Sequence, residues 1–180
     1  MKKIDSKRVW QGESWYLQLD SLLLANGQVV EKGAVIHPGS VVLVPIRPFS
    51  DGRYEVLMIK QYRHVLDQTI LELPAGTREW DEPFLDCAQR ELQEEVGYRA
   101  EQFDLLGEVW PAPGFTNELM KIYLAQSLHH DPLVGDVDEE IEVVPMPLDE
   151  LMIMIKDGRI QDAKTIISLQ KTARFLRLNH

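Results

Sequence analysis

The N-terminal part of the chain has the alternating apolar and polar positions that are typical of antiparallel strands. Residues 15–24 and 28–36 form two such segments. Between them lie Asn26 and Gly27, a residue pair that strongly favours the tight turn of a β-hairpin. The pattern therefore predicts a small antiparallel β-layer over residues 1–39.

The main domain, predicted to span residues 40–180, opens with an unbroken apolar run. This run, residues 40–46, is typical of a strand that is buried on both faces. A turn at Asp51 and Gly52 separates it from the next strand. Further strands are predicted at residues 54–61, 69–73, 103–109, 121–126 and 141–146.

Between Pro83 and Gly97 the apolar residues recur with the periodicity of a helix and not with the alternation of a strand. Pro83 suits the first helical position, where its missing N–H would have no partner. Gly97 suits the position just past the end, where a left-handed residue is needed. The predicted apolar face consists of Leu85, Ala88, Leu92 and Val96. An adjacent face is predicted to carry Glu91, Glu94 and Glu95.

Two more helices are predicted near the C-terminus. The first covers residues 147–156 and ends at Asp157 and Gly158. Asp162 is a good N-cap for the second, which runs to about residue 178. Its predicted inner face consists of Ala163, Ile166, Ile167, Ala173 and Leu176. Strands, a helix, strands and two helices in this order suit an α/β fold, namely an α/β/α sandwich with a mixed sheet.

Charge and composition narrow the classes of partner. The formal net charge of −10 argues against a surface that follows nucleic-acid phosphates, because such a surface would be basic. No stretch approaches the ~20 apolar residues of a membrane span, and no apolar region follows the N-terminal charges. We therefore expect a cytoplasmic protein with no nucleic-acid or membrane partner. The lone Cys87 excludes an intrachain disulfide.

The three glutamates of the first helix repel one another, and no lysine in the segment relieves them. A divalent cation would neutralise such a cluster. Carboxylate and carbonyl oxygens are hard ligands, which favours Mg²⁺ or Mn²⁺. A solvated acidic helix face is the alternative interpretation of these residues taken alone.

The whole spacing resembles the Nudix box, Gly-x5-Glu-x7-Arg-Glu-(aliphatic)-x-Glu-Glu-x-Gly-(aliphatic). Its matching positions are Gly76, Glu82, Arg90, Glu91, Leu92, Glu94, Glu95 and Gly97. The one departure is Tyr98, where the family usually has an aliphatic residue, and this position does not touch the chemistry. The resemblance implies the Nudix α/β/α sandwich and hydrolysis of a diphosphate linkage.

The resemblance also implies roles for the box residues. Glu91 and Glu95 are expected to be direct metal ligands, and the carbonyl of Ala75 a backbone ligand. Glu94 is expected to be a further ligand or to act through a water molecule. Arg90 is expected to hold the glutamates by ion pairing, so Glu94 and Arg90 also belong to the predicted catalytic set.

The loop after the box is similar to one branch of the family. It holds Pro-Gly-Phe-Thr-Asn-Glu at residues 113–118, a pattern similar to that of the enzymes that cleave ADP-ribose and sugar nucleotides. In that branch the general base comes from this loop, so Glu118 is the predicted base. Glu140, in the acidic run 136–142, is the alternative base, and a solvated acidic loop is the other interpretation of that run.

Four residues are predicted to bind substrate. Arg63 matches a diphosphate-binding arginine in position, and a guanidinium suits phosphate. Glu72, in the strand before the box, is assigned to the same group. Asp162 and Lys164 match an Asp-x-Lys that nucleoside diphosphate sugar hydrolases carry on their last helix. An ordinary helix cap followed by a surface lysine is the alternative interpretation of this pair.

The resemblance as a whole implies a Mg²⁺-dependent hydrolase, with Mn²⁺ as a possible substitute. Its expected substrates are nucleoside diphosphate sugars of the GDP-mannose or ADP-sugar type, with ADP-ribose as a second substrate. A dedicated ADP-ribose pyrophosphatase is the alternative, and a non-catalytic nucleotide-binding module is a remote one. The N-terminal β-layer is expected to support a homodimer. Trp10 and Trp15 in this layer could stack on a purine, and the alternative is that they pack against the body of the protein or a partner subunit.

Overall fold

The structure is a computed structural model that describes residues 1–135 and 140–178. Its strands in these residues are β1 (Lys2–Gln11), β2 (Tyr16–Leu23), β3 (Val29–Ile36), β4 (Ser40–Pro48), β5 (Tyr54–Arg63), β6 (Gln68–Glu72), β7 (Ala75–Thr77), β8 (Tyr98–Val109), β9 (Met120–His130) and β10 (Ile141–Pro147). Its helices are α1 (Phe84–Glu91), α2 (Leu148–Lys156) and α3 (Ala163–Leu178). A π-helical turn (Leu92–Val96) continues α1.

The strands of the described residues form two sheets. β1, β2 and β3 make an antiparallel sheet in that order. The main sheet has the order β10-β5-β4-β9-β8, with β6 paired to β5 and β7 paired to β4. The central pair β4 and β9 is parallel and the other described pairs are antiparallel. The predicted mixed sheet and the separate N-terminal β-layer are confirmed.

Strand β4 divides the core between the two faces of the main sheet, because successive side chains of a strand point to opposite faces. Val41 and Leu43 pack with residues of α1 and the π-helical turn on one face. Val42 and Val44 pack with residues of α2 and α3 on the other. This arrangement is the predicted α/β/α sandwich, and it leaves the N-terminal end of β4 beside the box.

The predicted apolar face of the first helix is wrong at one end. Leu85 is 49% exposed, whereas Cys87 is fully buried in its place. The buried side chains form two rows along the helix, Cys87, Glu91 and Glu95 in one and Ala88, Leu92 and Val96 in the other. Two of the box glutamates therefore lie on the buried face itself and not on a neighbouring face.

Helix α3 also buries residues that its hydrophobic pattern does not indicate. Ala163 is exposed, so the predicted inner face is wrong at that residue. The buried residues are Thr165, Ser168, Leu169, Thr172 and Leu176. The hydroxyl of Thr165 accepts a hydrogen bond from the backbone N–H of Leu73 at 2.9 Å, which fixes the start of the helix against the segment after β6.

Two strands have no counterpart in the sequence prediction. Every residue of β1 is exposed, and among the described strands β1 pairs with β2 alone. β7 is three residues long and pairs with the start of β4.

Trp10 of β1 contacts Trp15, with their ring centroids 4.8 Å apart. No helix in the described part of the chain is long and apolar enough to cross a membrane.

Candidate active site

Two buried glutamates lie against the backbone of β7. The backbone N–H of Ala75 donates a hydrogen bond to Glu95 Oε2 at 2.9 Å. A Cβ atom on Gly76 would lie only 1.7 Å from the carboxyl carbon of Glu91. The box therefore needs glycine at this position because the Glu91 carboxylate occupies the space of a side chain.

Arg90 holds three carboxylates around one guanidinium group. Its Nε and Nη2 donate to the two oxygens of Glu82 at 2.9 and 3.0 Å. Its Nη1 donates to Glu91 Oε1 and to Glu94 Oε2, both at 2.8 Å. The hydrogen bonds from Arg90 hold the pKa of Glu82 below its usual range, against the opposing effect of burial. The hydrogen bond to Glu82 likewise raises the pKa of Arg90.

The charges around Arg90 do not cancel. One guanidinium contacts three carboxylates, those of Glu82, Glu91 and Glu94. Like charges at this spacing repel one another, so a divalent cation bound beside them would lower the repulsion. The donor oxygens of Glu91, Glu94, Glu95 and the Ala75 carbonyl suit a hard cation. Within residues 1–135 and 140–178, no three acidic, histidine or cysteine side chains already converge on one metal position.

The four predicted substrate-binding residues form a second cluster, centred on Glu72. Glu72 is fully buried and accepts hydrogen bonds from Arg63 Nε and Nη2 at 2.8 and 3.0 Å. Lys164 Nζ also contacts Glu72, and it donates to Asp162 Oδ2 at 3.0 Å. Asp162 in turn accepts the backbone N–H of Thr165 at 3.0 Å, which is the predicted helix cap.

This second cluster adjoins the box. Burial alone would lower the pKa of Arg63, but its hydrogen bonds to Glu72, together with the charges of Glu95 and Asp162, raise it. Glu72 and Ala75 are three residues apart on the segment that joins β6 to β7. The backbone contact of Glu95 therefore lies next to the paired cations, Arg63 and Lys164.

The predicted base, Glu118, lies in the loop between β8 and β9. Ser40 Oγ donates a hydrogen bond to Glu118 Oε1 at 2.7 Å. Ser40 is the pairing partner of Thr77 in β7, and the Thr77 carbonyl accepts a hydrogen bond from Arg90 Nη2 at 3.3 Å. These contacts bring the loop to the same end of the sheet as the box arginine.

Glu140, the alternative base, is exposed and directly precedes β10. Ile141 pairs with Gln61, two residues before Arg63, so Glu140 lies near the end of β5 that carries Arg63. The rest of the acidic run, residues 136–139, lies outside the described residues. The choice between Glu118 and Glu140 stays a prediction.

A family model for the NUDIX domain matches residues 37–169, which is more than half of the chain. The chain belongs to the Nudix family. The matched region begins just after β3 and includes both clusters. Nudix hydrolases generally use divalent metal ions.

Curated relatives of this Nudix protein cover most of its length. The chain is similar to the methanol dehydrogenase activator of Bacillus methanolicus, with 35% identity over 94% of this chain and 90% of the relative. The ADP-ribose pyrophosphatase of Bacillus subtilis is 31% identical over the same shares. The GDP-mannose pyrophosphatase of Yersinia enterocolitica is 36% identical over 81% of this chain and 80% of the relative. The family and these pyrophosphatase names indicate a hydrolase that acts on anhydrides.

A solved structure supports the Nudix fold over the whole chain. The crystal structure of an ADP compounds hydrolase superposes with a TM-score of 0.82 at 23% identity, and the match covers 99% of this chain and 95% of the other. The N-terminal sheet and the main sheet are thus both part of a known arrangement.

Several residues of this Nudix site escaped the sequence prediction. Asn117 Oδ1 accepts the backbone N–H of His37 at 2.8 Å, and its Nδ2 donates to the His37 carbonyl at 3.3 Å. Together with Ser40, these residues hold the loop that carries Glu118 against the start of β4. His37 and Asn117 are 80 residues apart in the chain, so only the fold shows that they touch.

We expect the stability of the folded protein to depend on pH because of His37. Burial lowers its pKa from 6.5, although the charge of Glu118 opposes this shift. The unfolded chain therefore protonates this imidazole at a higher pH than the folded chain does. Its contribution to stability is complete above pH 6.5 and is lost as the pH falls through the folded-state pKa.

The measurement is Tm as a function of pH for the wild type and for His37→Asn. An asparagine oxygen can still accept the backbone N–H of Gly39, as His37 Nδ1 does at 3.0 Å. We expect a smaller loss of Tm on acidification in this variant, while the exposed-site control His129→Asn keeps the wild-type profile. Equal slopes for all three proteins would contradict the assignment.

Proposed function

We propose that the protein hydrolyses the diphosphate linkage of nucleoside diphosphate sugars, of the GDP-mannose or ADP-sugar type, and that it also accepts ADP-ribose. The observation that carries the proposal is the meeting of Arg63 and Lys164 on the buried carboxylate of Glu72, beside the Nudix box. Two preorganised cations suit the adjacent phosphates of a diphosphate, or one phosphate and the sugar beyond it.

The proposed metal ligands are the carboxylates of Glu91, Glu94 and Glu95 and the carbonyl of Ala75, and Mg²⁺, or Mn²⁺ in its place, is the proposed cation. A divalent cation bound there would screen the phosphate charges and polarise the bond under attack. Arg90 holds Glu91 and Glu94 in position through its shared Nη1 and is not proposed to touch substrate.

The proposed reaction needs a base and yields two phosphate monoesters. Glu118 takes a proton from the attacking water as its oxygen bonds to one phosphorus. The bond from that phosphorus to the bridging oxygen breaks, and the bridging oxygen leaves on the other phosphate. The products are a nucleoside monophosphate and a sugar phosphate.

Product analysis tests this function. GDP-mannose and ADP-ribose are each incubated with the protein and Mg²⁺, and the products are separated by anion-exchange chromatography. We expect GMP with mannose 1-phosphate and AMP with ribose 5-phosphate, and no turnover after EDTA treatment until Mg²⁺ is restored. Intact substrate in every reaction, with binding detectable by calorimetry, would favour a non-catalytic nucleotide-binding module.

Lys164 provides a test of the sugar-side contacts. A charge-assisted hydrogen bond contributes about 1.5–3 kcal/mol, so Lys164→Met should lower kcat/KM for sugar nucleotides by about 10- to 100-fold. The matched control is Lys171→Met, which removes a lysine on the same helix whose Nζ donates to the Leu106 carbonyl. Because Glu72 keeps its Arg63 partner, both variants should fold, and thermal melting checks this. Equal kcat/KM for both variants would contradict the role of Lys164.

A dedicated ADP-ribose pyrophosphatase is the second candidate, and the Bacillus subtilis relative of that name favours it. It would differ in the sugar-side contacts, so Lys164→Met would then leave turnover of ADP-ribose, giving AMP and ribose 5-phosphate, unchanged.

We also propose that residues 1–39 support a homodimer. Strand β1 pairs with β2 along one of its edges, and all of its residues are exposed. The exposed surface of this strand supports the proposal. Light scattering of the whole chain tests the dimer, and a monomer mass at micromolar concentration would contradict it.

A further inference from the structure

Arg78, which has no fixed identity in the box pattern, joins the loop before α1 to the junction of β3 and β4. Its Nε and Nη2 donate to the Pro38 carbonyl at 3.0 and 2.7 Å. Its Nη1 donates to the Glu82 carbonyl at 2.7 Å. The backbone N–H of Arg78 donates to the Gly39 carbonyl at 3.0 Å. One side chain thus spans two segments that are about forty residues apart in sequence.

The same junction is tightly packed. The guanidinium of Arg78 lies over the ring of Phe84, 4.7 Å from its centroid, and Lys121 Nζ lies 4.6 Å from that centroid. Gly39 has φ +110°, and a Cβ atom there would lie 2.9 Å from Phe84 Cζ. Cation–π contacts and the close approach at Gly39 leave the Arg78 side chain little freedom to move.

Each segment that Arg78 joins leads directly to a predicted functional group. On one side, the Glu82 carboxylate pairs with Arg90, which holds Glu91 and Glu94. On the other, Ser40 lies two residues beyond Pro38, and its hydroxyl donates a hydrogen bond to Glu118. Arg78 therefore lies between the carboxylates proposed to bind metal and the carboxylate proposed to take the proton.

We propose that Arg78 is a positioning residue that sets the distance between Glu118 and the box helix. This inference rests on the proposed function and adds to it a residue that acts through other groups. Displacement of a reacting group by about 1 Å can cost about 100-fold in rate, so a residue that sets this distance should have a measurable effect on kcat. Substrate binding depends on Arg63 and Lys164 and should change little.

The substitution Arg78→Lys tests this positioning role. Lysine keeps the positive charge and the aliphatic stem, but a single ammonium cannot reproduce the planar fork that reaches two carbonyls from different edges. We expect kcat to fall about tenfold or more while KM stays near the wild-type value. Arg47→Lys is the control, because Arg47 is a half-exposed, ion-paired arginine at the opposite end of β4.

A double-mutant cycle separates positioning from a general loss of folded protein. If Arg78 acts through the position of Glu118, then Arg78→Lys should lower kcat in the wild type and have little further effect in Glu118→Gln. If it only destabilises the fold, the same factor should appear in both backgrounds. Ser40→Ala removes the hydroxyl that donates a hydrogen bond to Glu118, so it tests the same connection at a second residue. Its effect on kcat should likewise disappear when Glu118 is replaced.

The outcomes are distinguishable. Non-additive effects of Arg78→Lys and Glu118→Gln support the inference. Additive effects, or a wild-type kcat in Arg78→Lys, overturn it while metal-dependent hydrolysis by the wild type still stands. A normal kcat in Glu118→Gln also overturns it, because Glu118 is then not the base. Absence of turnover in the wild type would instead reject the proposed function, on which the inference rests.

Discussion

Replacing Glu95 with glutamine should lower kcat by about a thousandfold or more, because a proposed metal ligand would lose its full negative charge. The amide oxygen of glutamine can still accept the Ala75 N–H that now bonds Glu95 Oε2 at 2.9 Å. The substitution should therefore preserve the packing of the helix against β7. Initial rates in saturating Mg²⁺, with thermal melting of the same samples, measure the two effects separately.

Two results bear on the interpretation of Glu95→Gln. The exposed control Glu101→Gln, a glutamate that pairs with His129 on the hairpin of β8 and β9, should keep wild-type turnover. A near-normal kcat for Glu95→Gln at saturating Mg²⁺ would remove Glu95 from the metal site and would contradict the assignment of the box.

Replacing Glu118 with glutamine should lower kcat by about 100-fold or more with substrate binding intact, as for the loss of a general base. Glutamine can still accept the Ser40 hydroxyl, so the loop should keep its position. The comparison is with Glu140→Gln, because Glu140 is exposed and directly precedes β10. Single-turnover rates and equilibrium binding of the substrate measure chemistry and affinity separately.

The pair of variants decides which loop supplies the base. A large loss of kcat in Glu118→Gln with normal turnover in Glu140→Gln fits the proposed mechanism. The reverse result would move the base to the segment before β10. Weaker substrate binding with an unchanged single-turnover rate in Glu118→Gln would make Glu118 a binding residue.

Much of the fold follows from local signals in the sequence. The pair Asn26 and Gly27 predicts the hairpin between β2 and β3, and Gly27 has the positive φ of +83° that such a turn needs. The apolar run at residues 40–46 predicts the central strand β4, whose residues 40–46 are all buried. Gly97, with φ +81°, ends the box helix as predicted.

The errors arise where tertiary contacts override the hydrophobic pattern. β1 carries mostly charged and polar residues and is exposed throughout, so only its pairing with β2 makes it a strand. Glu91 and Glu95 occupy the buried face of the box helix because the backbone of Ala75 and Gly76 lies against them. A polar residue buried by close approach to a glycine gives no signal of hydrophobic periodicity.

In the candidate site, too, local patterns can be predicted from the sequence, whereas contacts between distant segments cannot. The box and its spacing are readable because they lie within 23 residues of one another. The sequence also singles out Arg63, Glu72 and Lys164, but the contacts of Arg63 and Lys164 with the buried Glu72 carboxylate depend on the fold, which brings the start of α3 to the end of β6. The contacts of Ser40, His37 and Arg78 with distant segments have no local signal, because each depends on the antiparallel pairing of β4 with β7 and on the path of the loop before β9.

We propose that the Nudix box and the Glu72 cluster together select nucleoside diphosphate sugars. The most direct measurement is a comparison of kcat/KM for GDP-mannose, UDP-glucose, ADP-glucose and ADP-ribose, each with Mg²⁺ and with EDTA. We expect that at least one sugar nucleotide is cleaved as well as ADP-ribose or better, and that EDTA stops every reaction. Cleavage of ADP-ribose alone would contradict the claim and would make Asp162 and Lys164 an ordinary helix cap and its neighbour.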